Sequence, residues 1–181
     1  MHPGTLRSGS EEFSLKGMQK VLVSACLLGE RVRYDGGDCR QGGLLEQWQR
    51  EGRIISLCPE VAGGLSVPRP PAEIAAGNSE AVLRGQHVIR RENGEDVTDA
   101  FVEGAEKALA LCIRYCIRLA ILKEGSPSCG VSRVNDGSFC KHKVSGVGVT
   151  ARLLQRHGIA VFSEAQLPPA LQMLTELESI Q

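Results

Sequence analysis

The sequence predicts a three-layer, Rossmann-like α/β sandwich on a mostly parallel sheet. Three observations carry this. Short apolar runs, Val21-Leu22-Val23, Ile54-Ile55, Leu119-Ala120-Ile121-Leu122 and Ile159-Ala160-Val161-Phe162, have the continuous character of strands buried on both faces. Stretches with helical periodicity lie between them, so strand and helix alternate. The chain has 181 residues, enough for one compact domain with its own core.

Each element has a local reason. The first strand is expected over Lys20 to Ala25. A polar, Gly-rich loop follows from Gly29 to Gly43, long for a passive connection. Leu44 to Glu51 reads as a short helix with Leu44, Leu45 and Trp48 on one face, ended by Gly52. Arg53 to Leu57 is the second strand, completing a βαβ unit with a right-handed crossover. Val61 to Pro71 is expected to be irregular because of its Gly and Pro content. Ala81 to Arg84 and His87 to Arg90, around Gly85-Gln86, read as a hairpin. Thr98 is expected to cap a helix from Asp99 to Tyr115 whose apolar face is Val102, Ala105, Leu109, Cys112 and Cys116. Val149 to His157 is a helix, Ile159 to Phe162 the last strand, and Pro168 to Ser179 a terminal helix with Leu171, Leu174 and Leu177 inward. Residues 1–17 carry no periodicity and read as an expression tag or disordered tail, with 18–181 as the single domain.

Bulk composition narrows the function. Twenty-one basic and 21 acidic residues cancel, which argues against an extended nucleic-acid or membrane surface. No run approaches a membrane span, and no secretory segment is expected. Seven cysteines, an odd number, fit a cytoplasmic protein with reduced thiols better than a disulfide framework.

Three of those cysteines stand just past strand ends. Cys26 follows the first strand, Cys58 the second, and Cys129 ends the loop after Leu122. In an open parallel sheet, ligands bind in the crevice beyond the carboxyl ends of the strands. Three thiolates meeting there can hold a metal centre with one position open for chemistry. Cys112 and Cys116 are expected to pack as small hydrophobes. Cys39 and Cys140 lie in polar loops and are read as bystanders, each with the option of serving as a spare ligand or resolving thiol. Gly146-Val147-Gly148 offers backbone donors to an anion, although a plain helix start explains it as well.

The chain also resembles the thiouracil desulfurase family. The resemblance rests on VSACLLGERVRYDGGDCR (23–40), LCPEVAGGLSVPRPPAEI (57–74), GEDVTDAFVEGAEKAL (94–109), LAILKEGSPSCG (119–130), DGSFC (136–140) and GVGVTARLLQRHGIAVFSE (146–164). It implies a [4Fe-4S] cluster held by Cys26, Cys58 and Cys129, with the fourth iron free of a protein ligand. It further implies non-redox removal of sulfur from a thiolated pyrimidine or its nucleotide, assisted by Glu60 and Ser126. Cys39 departs from the pattern expected of most relatives.

These residues suit that chemistry. An open iron is a thiophilic Lewis acid. Attack by water needs a base within about 2.6–3.2 Å. An extended Cys58-Pro59-Glu60 segment would put Glu60 on the same face as Cys58. Arg69 is a candidate for a substrate phosphate or ring oxygen. Asp35 and Ser128 are further substrate-binding candidates. Two other functions use the same thiols. One is a zinc-dependent hydrolase, against which stands the lack of H-x-E and P-C-x-x-C. The other is a cluster-carrying redox sensor or binding module. Persulfide-based sulfur transfer is a further option. Residue types alone do not choose among free base, nucleotide and thiolated RNA.

Overall fold

The computed structural model describes residues 17–180. The tail read from residues 1–17 therefore lies, apart from Gly17, outside the described residues. The central sheet comprises β1 (Val21–Ser24), β2 (Ile54–Leu57), β5 (Leu119–Leu122) and β8 (Ala160–Ser163), all parallel, in the order β2-β1-β5-β8. Register pairs Val21 with Ile54 on one side and Leu119 on the other. The order reverses between β1 and β5, which creates a crevice at the strand ends.

Helices cover both faces, as period-two alternation along the buried strands requires. Val21, Val23, Leu119 and Ile121 pack against Leu45 and Trp48 of α1 (Leu44–Arg50) and Leu174 and Leu177 of α6 (Leu167–Ser179). Leu22, Ala120 and Leu122 pack against Ala108 and Cys112 of α4 (Thr98–Arg114) and Leu154 of α5 (Val149–Arg156). The predicted three layers are present. The buried stripe of α4 is Phe101, Ala105, Ala108 and Cys112, turned slightly from the expected one. Cys116 does not belong to it. It follows the helix end at φ 52° and is exposed. In α6, Ala170 takes the inward place expected of Leu171, which is exposed.

The expected hairpin is not formed. Ala81 to Leu83 belongs to α3 (Ser79–Leu83), because the Asn78 side chain accepts the Ala81 N–H at 3.0 Å and caps a helix. The strand partner of β4 (Ile89–Arg91) is instead β3 (Ala72–Ile74), antiparallel, and Ile74 and Ile89 join a core cluster with Phe101. Thr98 is the first residue of α4 rather than its cap. Asp96 Oδ1 accepts its N–H at 2.9 Å and its hydroxyl at 2.6 Å. A further hairpin, β6 (Arg133–Asn135) with β7 (Lys143–Ser145), was not expected from sequence. No described helix is long and apolar enough to cross a membrane.

Candidate active site

Each of the three strand-end cysteines is positioned by a different device. Cys26 sits in a 3-10 turn, Ala25–Leu28, closed by Gly29 at φ 94°. The long loop folds back on this turn: Cys39 N–H donates to Cys26 O at 2.9 Å and Gln41 N–H to Leu27 O at 2.8 Å. Cys58 is the N-cap of α2 (Pro59–Ala62). Proline at N1 is preorganised for a helix start, so the segment turns at Pro59 and the extended geometry expected for Cys58-Pro59-Glu60 is not found. Cys129 lies in a tight turn where Gly130 N–H donates to Ser126 O at 2.8 Å.

All three thiols line one cavity of about 380 Å³ at the β1–β5 crevice, together with Glu60, Arg69 and Ser126. Burial makes free ionisation of these thiols costly. The Cys26 thiol is pushed up to about 12, first by burial and then by Cys39 and Cys58. Cys129 is raised further still by burial, and Cys58, Glu60 and Cys26 add to the effect. Cys58 is raised by burial, against which the Val61 N–H works. Thiols that mutually oppose ionisation are suited to a cationic centre that takes them as thiolates. Among the described residues, no three His, Cys, Asp or Glu side chains lie close enough to hold a single metal ion. Three soft donors lining one cavity fit an iron–sulfur cluster.

Beside the thiols lies a connected polar system. Arg69, expected as a contact for a substrate phosphate or ring oxygen, is buried. Its guanidinium grips Glu60 Oε2 at 2.6 and 2.7 Å and donates to Ser66 O and Val32 O, each at 3.0 Å. This leaves Glu60 Oε1 facing Ser126, whose hydroxyl donates to it at 3.4 Å. Ser126 Oγ accepts the N–H groups of Ser128 and Cys129, each at 3.1 Å. Its lone pairs are thus occupied, and its one proton points to Glu60.

Two expected substrate contacts fall elsewhere. Asp35 is exposed and accepts the Gly37 N–H at 2.9 Å, shaping the Tyr-Asp-Gly-Gly turn. Ser128 is buried, with its hydroxyl 2.8 Å from Thr150 Oγ1. Neither lines the cavity. The Gly146-Val147-Gly148 segment makes no anion cradle of its outer amides, since Gly146 N–H and Gly148 N–H donate to Ser132 O and Gly130 O. Cys39 lies beside Cys26 but outside the cavity, its sulfur accepting from Arg33 Nη1 at 2.9 Å. Cys140 is exposed.

Sequence reasoning missed Glu124. Its carboxylate accepts the N–H groups of Gly125, Val131, Ser132 and Arg133 at 3.0–3.2 Å, and the Ser132 hydroxyl at 3.0 Å. Burial opposes the charge, but these N–H donors hold the carboxyl below its usual range. Glu124 thereby staples both ends of the loop that delivers Ser126 and Cys129. Its signal in sequence was faint: an acidic residue at a strand end, ahead of a Gly-Ser-Pro turn.

Fold and site together define a parallel α/β domain with three thiols and a carboxylate lining one cavity at its topological switch point. The family model for 2-thiouracil desulfurase matches residues 21–166, and the chain belongs to that family. It is similar to "Uncharacterized protein YbbK" of Bacillus subtilis (strain 168), 43% identical over 147 residues, which cover 81% of this chain and 97% of that protein. Among solved structures it is similar to a "[4Fe-4S]-dependent thiouracil desulfidase TudS", with a TM-score of 0.80 and 48% identity over 87% of this chain and 98% of the other.

Proposed function

We propose that this protein is a [4Fe-4S]-dependent desulfurase that converts a thiolated pyrimidine, as free base or nucleotide, to the corresponding oxo-pyrimidine. The observation that carries this reading is the meeting of Cys26, Cys58 and Cys129 with the Glu60–Ser126 pair in one cavity. The similarity to a [4Fe-4S]-dependent thiouracil desulfidase supports it.

The reaction needs no electrons: water supplies one oxygen and two hydrogens, C=S becomes C=O, and sulfur leaves as hydrosulfide with a proton. Cys26, Cys58 and Cys129 would hold the cluster, whose open iron supplies a thiophilic Lewis acid for the substrate sulfur. Glu60 Oε1 takes the proton from the attacking water. Arg69 keeps Oε2 occupied and the carboxylate fixed, which limits the reorganisation needed at the reacting carbon. Ser126 holds Glu60 Oε1 in position with its one proton, while the Ser128 and Cys129 N–H groups fix its Oγ. Asp35 and Ser128 act through the loops they hold. A zinc deaminase would carry H-x-E and P-C-x-x-C, and the sequence has neither.

The test is anaerobic purification followed by iron, sulfide and turnover measurements. About four irons and four sulfides per chain are expected, with hydrosulfide released from 2-thiouracil. Cys26→Ala, Cys58→Ala and Cys129→Ala should each lose both cluster and turnover. Full turnover in iron-free protein would overturn the reading.

A further inference from the structure

The β6–β7 hairpin stands at the cavity rim. Asn135 and Lys143 face each other across it, and both line the cavity. Lys143 Nζ donates to Gly125 O at 2.9 Å, which ties the hairpin to the loop bearing Ser126 and Cys129. Among the described residues, two buried side-chain polar atoms lack a hydrogen-bond partner, Asn135 Oδ1 and Arg152 Nε. Arg152 Nε has a carboxylate, Glu80, at 3.9 Å and lies outside the cavity. Asn135 Oδ1 has no such neighbour, and a half-turn of the carboxamide, which exchanges Oδ1 and Nδ2, brings the acceptor to the cavity that the residue lines. A buried acceptor left unpaired is destabilising, and such groups call for a specific explanation.

We infer that Asn135 is a specificity-determining residue that reads the N3–H edge of the pyrimidine. The inference rests on the desulfurase reading above and adds the orientation of the substrate. In a 2-thiouracil ring, N3–H lies between the thiocarbonyl and the C4 carbonyl. A carboxamide presents an acceptor and a donor side by side, so it pairs with N3–H and the carbonyl together. The sulfur is left free to turn toward the thiols. In a 4-thio isomer the same pairing uses the C2 carbonyl, so Asn135 demands N3–H without choosing the sulfur position. It is the one carboxamide among the described residues lining the cavity. Of the cavity's carboxylates, Glu124 is committed to backbone N–H groups and Glu60 to Arg69 and Ser126.

The test uses the cluster-loaded protein and two isomers. 1-Methyl-2-thiouracil keeps N3–H, and 3-methyl-2-thiouracil blocks it. The wild-type protein is expected to prefer the 1-methyl isomer by at least about 10-fold in kcat/KM. Asn135→Ala should lower kcat/KM for 2-thiouracil by about 10-fold, mainly through KM. It should also bring the two isomers within about threefold of each other. Asn135→Leu removes the unpaired acceptor at similar size, so its melting temperature is expected at or above wild type while uracil binding, read by calorimetry, weakens. A merely structural residue would give the opposite pattern. If Asn135→Ala preserves the isomer ratio, or the wild-type protein shows none, the inference falls alone. A cluster-loaded wild type that releases no sulfide from any of the three compounds sinks the desulfurase reading itself, and this inference with it.

Discussion

Replacing Gly104 with alanine sets two physical effects of opposite sign against each other. Gly104 is inside α4, where alanine is favoured over glycine by about 1 kcal/mol. A Cβ at this position, however, would lie 1.9 Å from Pro59 O, whereas ordinary contact begins at 3.4 Å. The shortfall is about 1.5 Å, and both sides are backbone, so no side chain can rotate away. Gly63 meets α4 in the same manner, its Cβ 1.9 Å from Ala100 O. The clash therefore either moves α2 by about 1.5 Å or costs the upper end of the 1–3 kcal/mol typical of overpacking. Net of propensity, a loss of about 2 kcal/mol corresponds to about 4–8 °C in Tm for a chain of this size. Because α2 starts at Cys58 and carries Glu60, a displacement of this order is expected to cost about 100-fold in turnover and part of the bound iron. Thermal unfolding, iron per chain and initial rate on 2-thiouracil are the assays. A Gly104→Ala protein with raised Tm, full iron and unchanged rate would refute the packing argument.

Other outcomes follow from the same geometry. Arg69→Met leaves the Glu60 carboxylate buried without its partner, so urea unfolding should show a loss of about 3–5 kcal/mol. The Arg69→Met, Glu60→Gln double variant should recover part of that stability and none of the activity. The depressed titration of Glu124 gives stability that is fully present above the unfolded-state value near 4.5 and lost as pH falls through the lower folded value. Glu124→Gln should flatten that acid limb in a melting-temperature series, and an unchanged limb would remove Glu124 as the staple. Cys112, raised to about 12 by burial alone, packs in the core. Cys112→Ala is expected to cost about 1 kcal/mol and leave iron content intact, unlike the three site cysteines.

How far the sequence spoke depended on the range of the interactions. β1 and β5 were plain because strands buried on both faces need uninterrupted apolar runs, and the cavity at their ends follows from parallel topology. β3 was hidden. Ala72-Glu73-Ile74 places an acidic residue mid-strand after prolines, and its reason is distant: Glu73 accepts the Gly137 and Phe139 N–H groups. Ala81-Val82-Leu83 looked like a strand because its apolar run outweighed the Asn78 cap. Cys26, Cys58 and Cys129 could be picked out by their positions after strands, whereas the fate of Arg69 could not, since its partners belong to a loop and a short helix formed elsewhere. Asn135 had no local signal, because being unpaired is a property of surroundings.

The sheet order also has a consequence in time. The strands preceding Cys26 and Cys129 are neighbours in space, Val21 beside Leu119, yet nearly a hundred residues apart in the chain. Parallel pairing at such separation is a high-contact-order event, closed late because the entropy of a long loop is lost before any contact repays it. During synthesis the first two thiols emerge well before the third. The three thiols can share one cavity only after β1 and β5 have paired, so the site is completed by the last long-range contact of the sheet rather than by any local segment.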